Sequence, residues 1–309
     1  MTVELRAPSL DELEALAELV NRASRELYGE QEESAESMRL WLTGPALDPE
    51  TDIRVAVVDG VLRGYVDIDA DPEPIFWADL RVPLFESDDV RSALVEWAEN
   101  RAKERAAGKA GARLRFFAAS GDEPVKALLV TRGYRPIRYF YRMRIELAED
   151  VPEPEWPAGV TVRAATPVDA QTAYDVHQEA FEDSWQHNRT PFEEWQHWFM
   201  HEQFDPTLWF LAEDGAEVAA VAVCREHDGE AGLGWVSVLG VRRPWRRHGL
   251  GRAMLLHAFR EFRRRGFHAG ALGVDAASLT GANRLYESAG MRVVRQSDVY
   301  DKELRAGTV

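Results

Sequence analysis

Val241-Arg242-Arg243-Pro244-Trp245-Arg246-Arg247-His248-Gly249-Leu250-Gly251-Arg252 joins an apolar, β-branched run over 236–241 to a helical pattern over 252–265. Glycines at 249 and 251 let backbone N–H groups line a concave loop without interference from a Cβ. The loop opens a helix, whose free N–H groups and positive dipole end attract an anion. Four arginines fall between 242 and 247, in a chain with 37 Lys and Arg against 53 Asp and Glu and a formal net charge of −16. Against that acidic background the cluster predicts a polyanion cradle, with a pyrophosphate as the natural occupant.

Downstream of the loop, Leu255, Ala258, Phe259 and Phe262 recur at helical spacing and give the 252–265 helix one apolar face. Arg263, Arg264 and Arg265 occupy its last turn, where the dipole favours cations, and Gly266 stops it. A strand over 269–274, a short helix over 281–289 and a final strand follow. Upstream lie a strand ending at Arg163, two helical patterns and a hairpin whose turn reads Asp214-Gly215. The fold class this predicts is α/β, a mixed α+β sheet with the strand–helix junction after Val241 as its functional edge.

The same plan occurs earlier in the chain. A strand ends at Arg6, a hairpin turn reads Asp59-Gly60, and Arg132-Gly133-Tyr134 matches Ala289-Gly290-Met291. The offsets 163 − 6, 290 − 133 and 304 − 147 all equal 157, which argues for an internal duplication. The proline- and acid-rich stretch 149–159 reads as a solvated linker between repeats at 1–150 and 158–309. The first repeat lacks the cradle: Val82-Pro83-Leu84-Phe85-Glu86-Ser87-Asp88-Asp89-Val90 has no glycine and three acids where phosphate would sit. Ser87, Asp88 and Asp89 are expected to cap the 90–106 helix and repel an anion.

Composition narrows the function classes. Hydrophobic residues make up 45% and charged residues 29%, a globular balance for a chain of 309 residues. The acidic net charge disfavours nucleic acid and anionic membrane surfaces as partners. No apolar run is long enough to span a bilayer, and the N-terminal residues do not read as a signal peptide. Cys224 is the single cysteine, and a cytoplasmic location is expected.

Arg246-Arg247-His248-Gly249-Leu250-Gly251 resembles the acyl-CoA signature R-x-x-G-x-G of the GNAT superfamily of N-acyltransferases. Asn283-Arg284-Leu285-Tyr286-Glu287-Ser288-Ala289-Gly290-Met291 resembles that family's second block, N-x-x-L-Y-x-x-x-G-F/M, and the likeness covers nearly all of 160–305. The resemblance implies two tandem GNAT-like domains, the N-terminal one degenerate. It implies acetyl-CoA as co-substrate, held by backbone groups of Leu239 and Val241, by Arg246, Arg247, His248, Gly249, Leu250, Gly251 and Arg252, and by Asn283. It further implies direct attack of a primary amine on the thioester, with Tyr286 as the acid that protonates the leaving thiolate. The pattern departs from the family at Pro244, one position late, and at Arg247-His248, where relatives show Gly-Arg or Gly-Lys.

No motif marks a general base; Glu226, His227, Glu182, Asp183 and Asp275 are the titratable candidates. The acceptor is expected to be a small amine bound near Glu182, Asp183 and Trp185, in a segment rich in Trp, His and acid. His197 and His201 share a helical spacing, but no third ligand is placed by motif, so no metal is expected. Monomer and homodimer both remain open. So do two alternatives to small-molecule acetylation: a non-catalytic acyl-CoA sensor, and a protein N-terminal or lysine acetyltransferase.

Overall fold

A computed structural model describes residues 2–70, 74–147, 151–201, 204–278 and 281–304. The first repeat runs β1 (Glu4–Arg6), α1 (Leu13–Tyr28), α2 (Ala35–Leu42), α3 (Pro49–Asp52), β2 (Ile53–Val58), β3 (Val61–Ala70), β4 (Ile75–Arg81), α4 (Asp88–Ala106), β5 (Arg113–Ala119), α5 (Glu123–Thr131) and β6 (Arg135–Glu146). The second runs β7 (Val160–Ala164), α6 (Ala170–Phe181), α7 (Phe192–Phe199), β8 (Trp209–Asp214), β9 (Glu217–Glu226), β10 (Leu233–Val241), α8 (Leu250–Arg264), β11 (Ala269–Asp275), α9 (Ala282–Ser288) and β12 (Arg292–Glu303). The final strands start at 135 and 292, again 157 apart (292 − 135).

The duplication reaches single hydrogen bonds. Arg6 ends β1 and grips the Glu12 carboxylate, which completes a capping box with Ser9. Arg163 grips Asp169 at 2.8 and 2.9 Å, and Asp169 completes the box with Thr166. All three positions repeat at the 157-residue offset.

The chain divides into two compact units: Met1–Phe140 with Asp228–Glu230 and Arg295–Val309, and Tyr141–His227 with Ala231–Val294. In the first unit the strand order is β1-β2-β3-β4-β5-β12, with β4 and β5 parallel. Its last position is filled from the chain's far end, Glu303 to Ser297 pairing with Arg113 to Ala119. Ala56 and Val58 face Leu94 and Ala98 of α4, while Val55 and Val57 face Leu16 and Val20 of α1, so helices bury both sides of β2.

The second unit has the order β7-β8-β9-β10-β11-β6, closed by residues 141–146 of the first repeat. Ala220, Ala222 and Cys224 of β9 face α8, and Val221 and Val223 face α6. Gly234 and Gly240 of β10 allow close packing: a Cβ at Gly234 would meet the Phe262 ring at 2.3 Å, and one at Gly240 would meet the Ala180 Cβ at 3.0 Å.

Two local expectations, on the second hairpin turn and on Ser87, need correction, and the extended, largely exposed linker gains two anchoring contacts. The β8–β9 turn is Gly215-Ala216, because Asp214 still pairs with Glu217, whereas Asp59-Gly60 forms the β2–β3 turn as expected. The linker is anchored where it is described: Arg260 donates to the Val151 carbonyl at 3.0 Å and Trp156 packs on His257 of α8. Its residues Glu149 and Asp150 lie outside the described range. Ser87 makes no capping bond to α4; its Oγ is buried with no hydrogen-bond partner among the described residues.

Candidate functional site

The site forms where β10 parts from β11. The two strands pair only from Leu233↔Ala269 to Trp235↔Ala271, while β10 runs on beside β9 to Val241. A bulge between Val236 and Val238 turns the outer half of β10 and sharpens the divergence. A wedge of strand backbone opens at Leu239 and Val241, both half-buried against α8 and α9.

The loop after β10 crosses the mouth of this wedge. Arg247 and Gly249 both take left-handed backbone, at φ 67° and 82°. The turn therefore delivers Gly249 as the N-cap of α8 with no side chain capping the helix. The first-turn amides of Leu250, Gly251 and Arg252 are left for an outside acceptor, at the positive end of a 15-residue dipole. Space around Gly249 is open, so an anion can approach. Gly251 has a different reason to be glycine: a Cβ there would lie 3.0 Å from Leu285 Cδ1 and 3.6 Å from Val241 Cγ2.

The basic cluster divides into two groups. Arg242 pairs with Glu179 at 2.7 Å and also donates to the Val218 carbonyl. Arg243 holds Asp183 at 2.6 and 3.1 Å, and Arg246 holds the same carboxylate at 2.9 Å. Three of the four cradle arginines are thus neutralised by acids at the end of α6. The side chains of Arg247, His248 and Arg252 carry no hydrogen bond or ion pair to a described residue, and those of 247 and 248 are exposed. These three, with the α8 amides, form the part of the loop that faces outward.

Two residues of α9 complete the site. Asn283 donates to the Ala276 carbonyl at 2.9 Å, while its Oδ1 is buried with no hydrogen-bond partner among the described residues. A buried unpaired acceptor is costly, and an amide N–H of a bound pantetheine arm would satisfy it. Tyr286 is 9% exposed and packs in the same cluster as Leu250, Met254 and Val274. Burial pushes its hydroxyl up to about 12, which keeps it protonated and able to donate. The open loop, the uncapped helix and the Asn283 acceptor together fit the groups of CoA.

Among the base candidates, two are engaged in turns. Asp275 accepts from the Ala277 N–H at 2.9 Å, and Glu226 accepts from the Gly232 N–H at 2.7 Å. His227 lies 3.2 Å from an Arg142 nitrogen and edge-on to Trp235.

The acceptor-side segment is only partly assembled as expected. Asp183 is drawn to Arg243 and Arg246, whose hydrogen bonds hold its carboxyl down at about 2. The Glu182 side chain is 54% exposed and sits 3.7 Å from Arg243, and Trp185 is half-buried. The nearby aromatics are core: Trp195 is buried among Tyr174, Phe192, Phe199 and Trp209, and donates to His177 Nδ1 at 2.9 Å. Burial holds His177 down at about 4, so it accepts that bond as a neutral ring. Among the described residues no group of three or more His, Cys, Asp and Glu is arranged to hold a metal.

At the equivalent loop of the first repeat the polarity is reversed. Arg91, 1% exposed, donates into the loop to the carbonyls of Pro83, Leu84 and Glu86. Where the second loop offers amides to an anion, this one turns its carbonyls onto an internal cation. The adjoining wedge is also narrower, with β4 and β5 pairing over five positions, Ile75↔Arg113 to Asp79↔Phe117. Sequence reading missed Arg91 because an arginine one turn inside a helix looks like an ordinary surface position.

Comparison with known proteins agrees with this geometry. The family described as Acetyltransferase (GNAT) matches residues 170–291, from α6 through the second block. Mycothiol acetyltransferase from Salinispora arenicola is 31% identical over 250 residues, covering 78% of each chain. Mycothiol acetyltransferase from Thermobispora bispora is 35% identical over 178 residues, but that match covers 56% of this chain and 60% of that protein. A GCN5-related N-acetyltransferase structure from Sphaerobacter thermophilus superposes with a TM-score of 0.79 at 32% identity, covering 98% of this chain and 96% of that one. With its cradle loop, its duplicated plan, these relatives and a fold shared at TM-score 0.77 and 15% identity with a tandem GNAT protein of the clavulanic acid biosynthesis pathway (98% of this chain, 99% of that one), the chain belongs to the GNAT acetyltransferase family.

Proposed function

We propose that the chain transfers an acetyl group from acetyl-CoA to the primary amine of a small molecule, with all chemistry in the 158–309 repeat. The observation that carries this reading is the uncapped start of α8 where β10 leaves β11, with α9, the helix of Asn283 and Tyr286, packed on α8 through Leu285 and Gly251. The first repeat, 1–150, serves as a degenerate partner domain with no CoA site of its own.

In the proposed reaction the α8 amides, Arg247, His248 and Arg252 hold the phosphates, and β10 backbone near Leu239 and Val241 orients the thioester. The amine nitrogen bonds to the acetyl carbon, and a β10 N–H stabilises the oxyanion that develops on the carbonyl. The C–S bond then breaks and Tyr286 donates its proton to the departing sulfur. The amine's surplus proton leaves to solvent or to a base near Glu226 and His227. Glu182 and Trp185 flank the acceptor, while Asp183 serves the loop.

The test is an acetyl-transfer assay that follows acetylated product and released CoA by mass over a panel of small amines. Amines of the mycothiol type head the panel, because the named relatives are mycothiol acetyltransferases. Acetylated product that depends on both acetyl-CoA and one amine supports the reading. CoA binding with no turnover on any small amine, but with acetylation of a peptide N-terminus or lysine, overturns the choice of acceptor.

A further inference from the structure

The signature arginine of the loop is the residue that sequence reading places on the pyrophosphate, and its surroundings argue otherwise. Arg246 has a protein acceptor on each of its three nitrogens. Nε donates to the Val241 carbonyl at 3.0 Å, Nη2 to the Ala180 carbonyl at 3.0 Å, and Nη1 to Asp183 at 2.9 Å. Its side chain is 24% exposed, against the open positions of Arg247 and His248. The three acceptors lie on different elements. Val241 ends β10, Ala180 is in the last turn of α6, and Asp183 follows that helix. A cation on a last-turn carbonyl is favoured by the helix dipole, so the guanidinium also caps α6.

We propose that Arg246 is a positioning residue and not a phosphate ligand. Its planar fork fastens the start of the loop to the end of β10 and to α6, and Asp183 closes the clasp. The α8 amides are thereby held in place before CoA arrives, and the phosphate charge is met by Arg247, His248 and Arg252. A lysine cannot reproduce this role, because one ammonium cannot span three acceptors at fixed angles. The inference rests on the CoA site proposed above.

Calorimetry of CoA binding at several salt concentrations tests it. A phosphate contact is screened by salt, so its removal flattens the dependence of affinity on salt; a positioning residue leaves the slope unchanged. Arg246→Gln and Arg246→Lys should both weaken CoA by about 10-fold at an unchanged slope, whereas Arg247→Gln should flatten it. Asp183→Asn, on an exposed position that folding tolerates, should weaken CoA about 3-fold at an unchanged slope. Combined with Arg246→Gln it should add little, because the two act as one unit. Near-wild-type affinity in Arg246→Lys with a flattened slope in Arg246→Gln overturns the proposal. So does tighter binding in Asp183→Asn, which would mean that Asp183 restrains arginines otherwise meant for phosphate. Absence of CoA binding by the wild type would instead remove the site itself.

Discussion

At Gly249 the backbone sits at φ 82° over open space, whereas Gly251 has ordinary backbone and a neighbour 3.0 Å from where its Cβ would be. The two substitutions should therefore fail differently. Gly249→Ala forces an L residue into the left-handed region, at about 1 kcal/mol, and should lower the melting temperature slightly while weakening CoA about 10-fold. Gly251→Val should instead push Leu285 and with it α9, so turnover should fall along with stability. Melting curves beside CoA titrations separate the two. Tyr286→Phe keeps the packed ring and removes the proton; kcat should drop about 10²–10⁴-fold with CoA affinity unchanged. Because burial raises this hydroxyl to about 12, the wild-type rate should climb as the amine deprotonates and show no fall before about pH 10. A descending limb near neutrality would assign the acid to another group. Of these residues the glycines, Asn283 and Tyr286 were legible as a motif. The sorting of the arginines was not, since Glu179 and Asp183 lie some 60 residues from the loop and meet it only through the packing of α6 on β10.

At the scale of elements, α4 and α8 are equivalent helices with opposite starts. Removing the Arg91 guanidinium leaves three loop carbonyls without their donor and should destabilise the protein by about 2 kcal/mol or more. Arg91→Ala should nonetheless gain no CoA affinity, because the loop still presents carbonyls; a second binding event in calorimetry would disprove the reversed polarity. The repeated strand-end arginines give a pH signature. Hydrogen bonds from Arg6 and Arg163 hold Glu12 and Asp169 below the usual carboxylate range. A carboxyl depressed in the folded state adds stability that is present above its unfolded value, about 4, and is lost as pH falls through the folded one. The melting-temperature deficit of Arg163→Met should therefore be largest near neutral pH and shrink as the solution is acidified below about pH 4. Helix and strand order was readable from periodicity and from the 157-residue offset. The Gly215-Ala216 turn was not, because a dipeptide cannot report which of its residues is still paired across the hairpin.

For the molecule as a whole, one cradle faces outward and its counterpart is closed on itself, so calorimetry should count one CoA per chain; two equivalent sites would contradict the division of labour. The exchange of final strands was invisible in the sequence. A strand with alternating character fits beside β5 or beside β11 equally well by pattern, and only the contacts choose between them. Residues 1–150 alone lack Ser297–Glu303 beside β5 and the Asp301 carboxylate that pairs with Arg113 and Arg115. A 1–150 fragment should accordingly show no cooperative melting transition, and adding a 292–304 peptide should restore part of it.

The same strand exchange sets a timetable for synthesis. A ribosome delivers the chain from its N-terminus, and a domain ordinarily folds as soon as its last residue emerges. Here β5 waits for a strand at residues 297–303, so some 180 further residues must emerge before β5 has its second neighbour (303 − 119 = 184). Meanwhile the strand that precedes the linker, residues 141–146, is held over for a sheet whose other members have not yet been translated. Both units complete their strand sets late, and a nascent chain stalled anywhere short of β12 carries an open β5 edge for chaperones to cover.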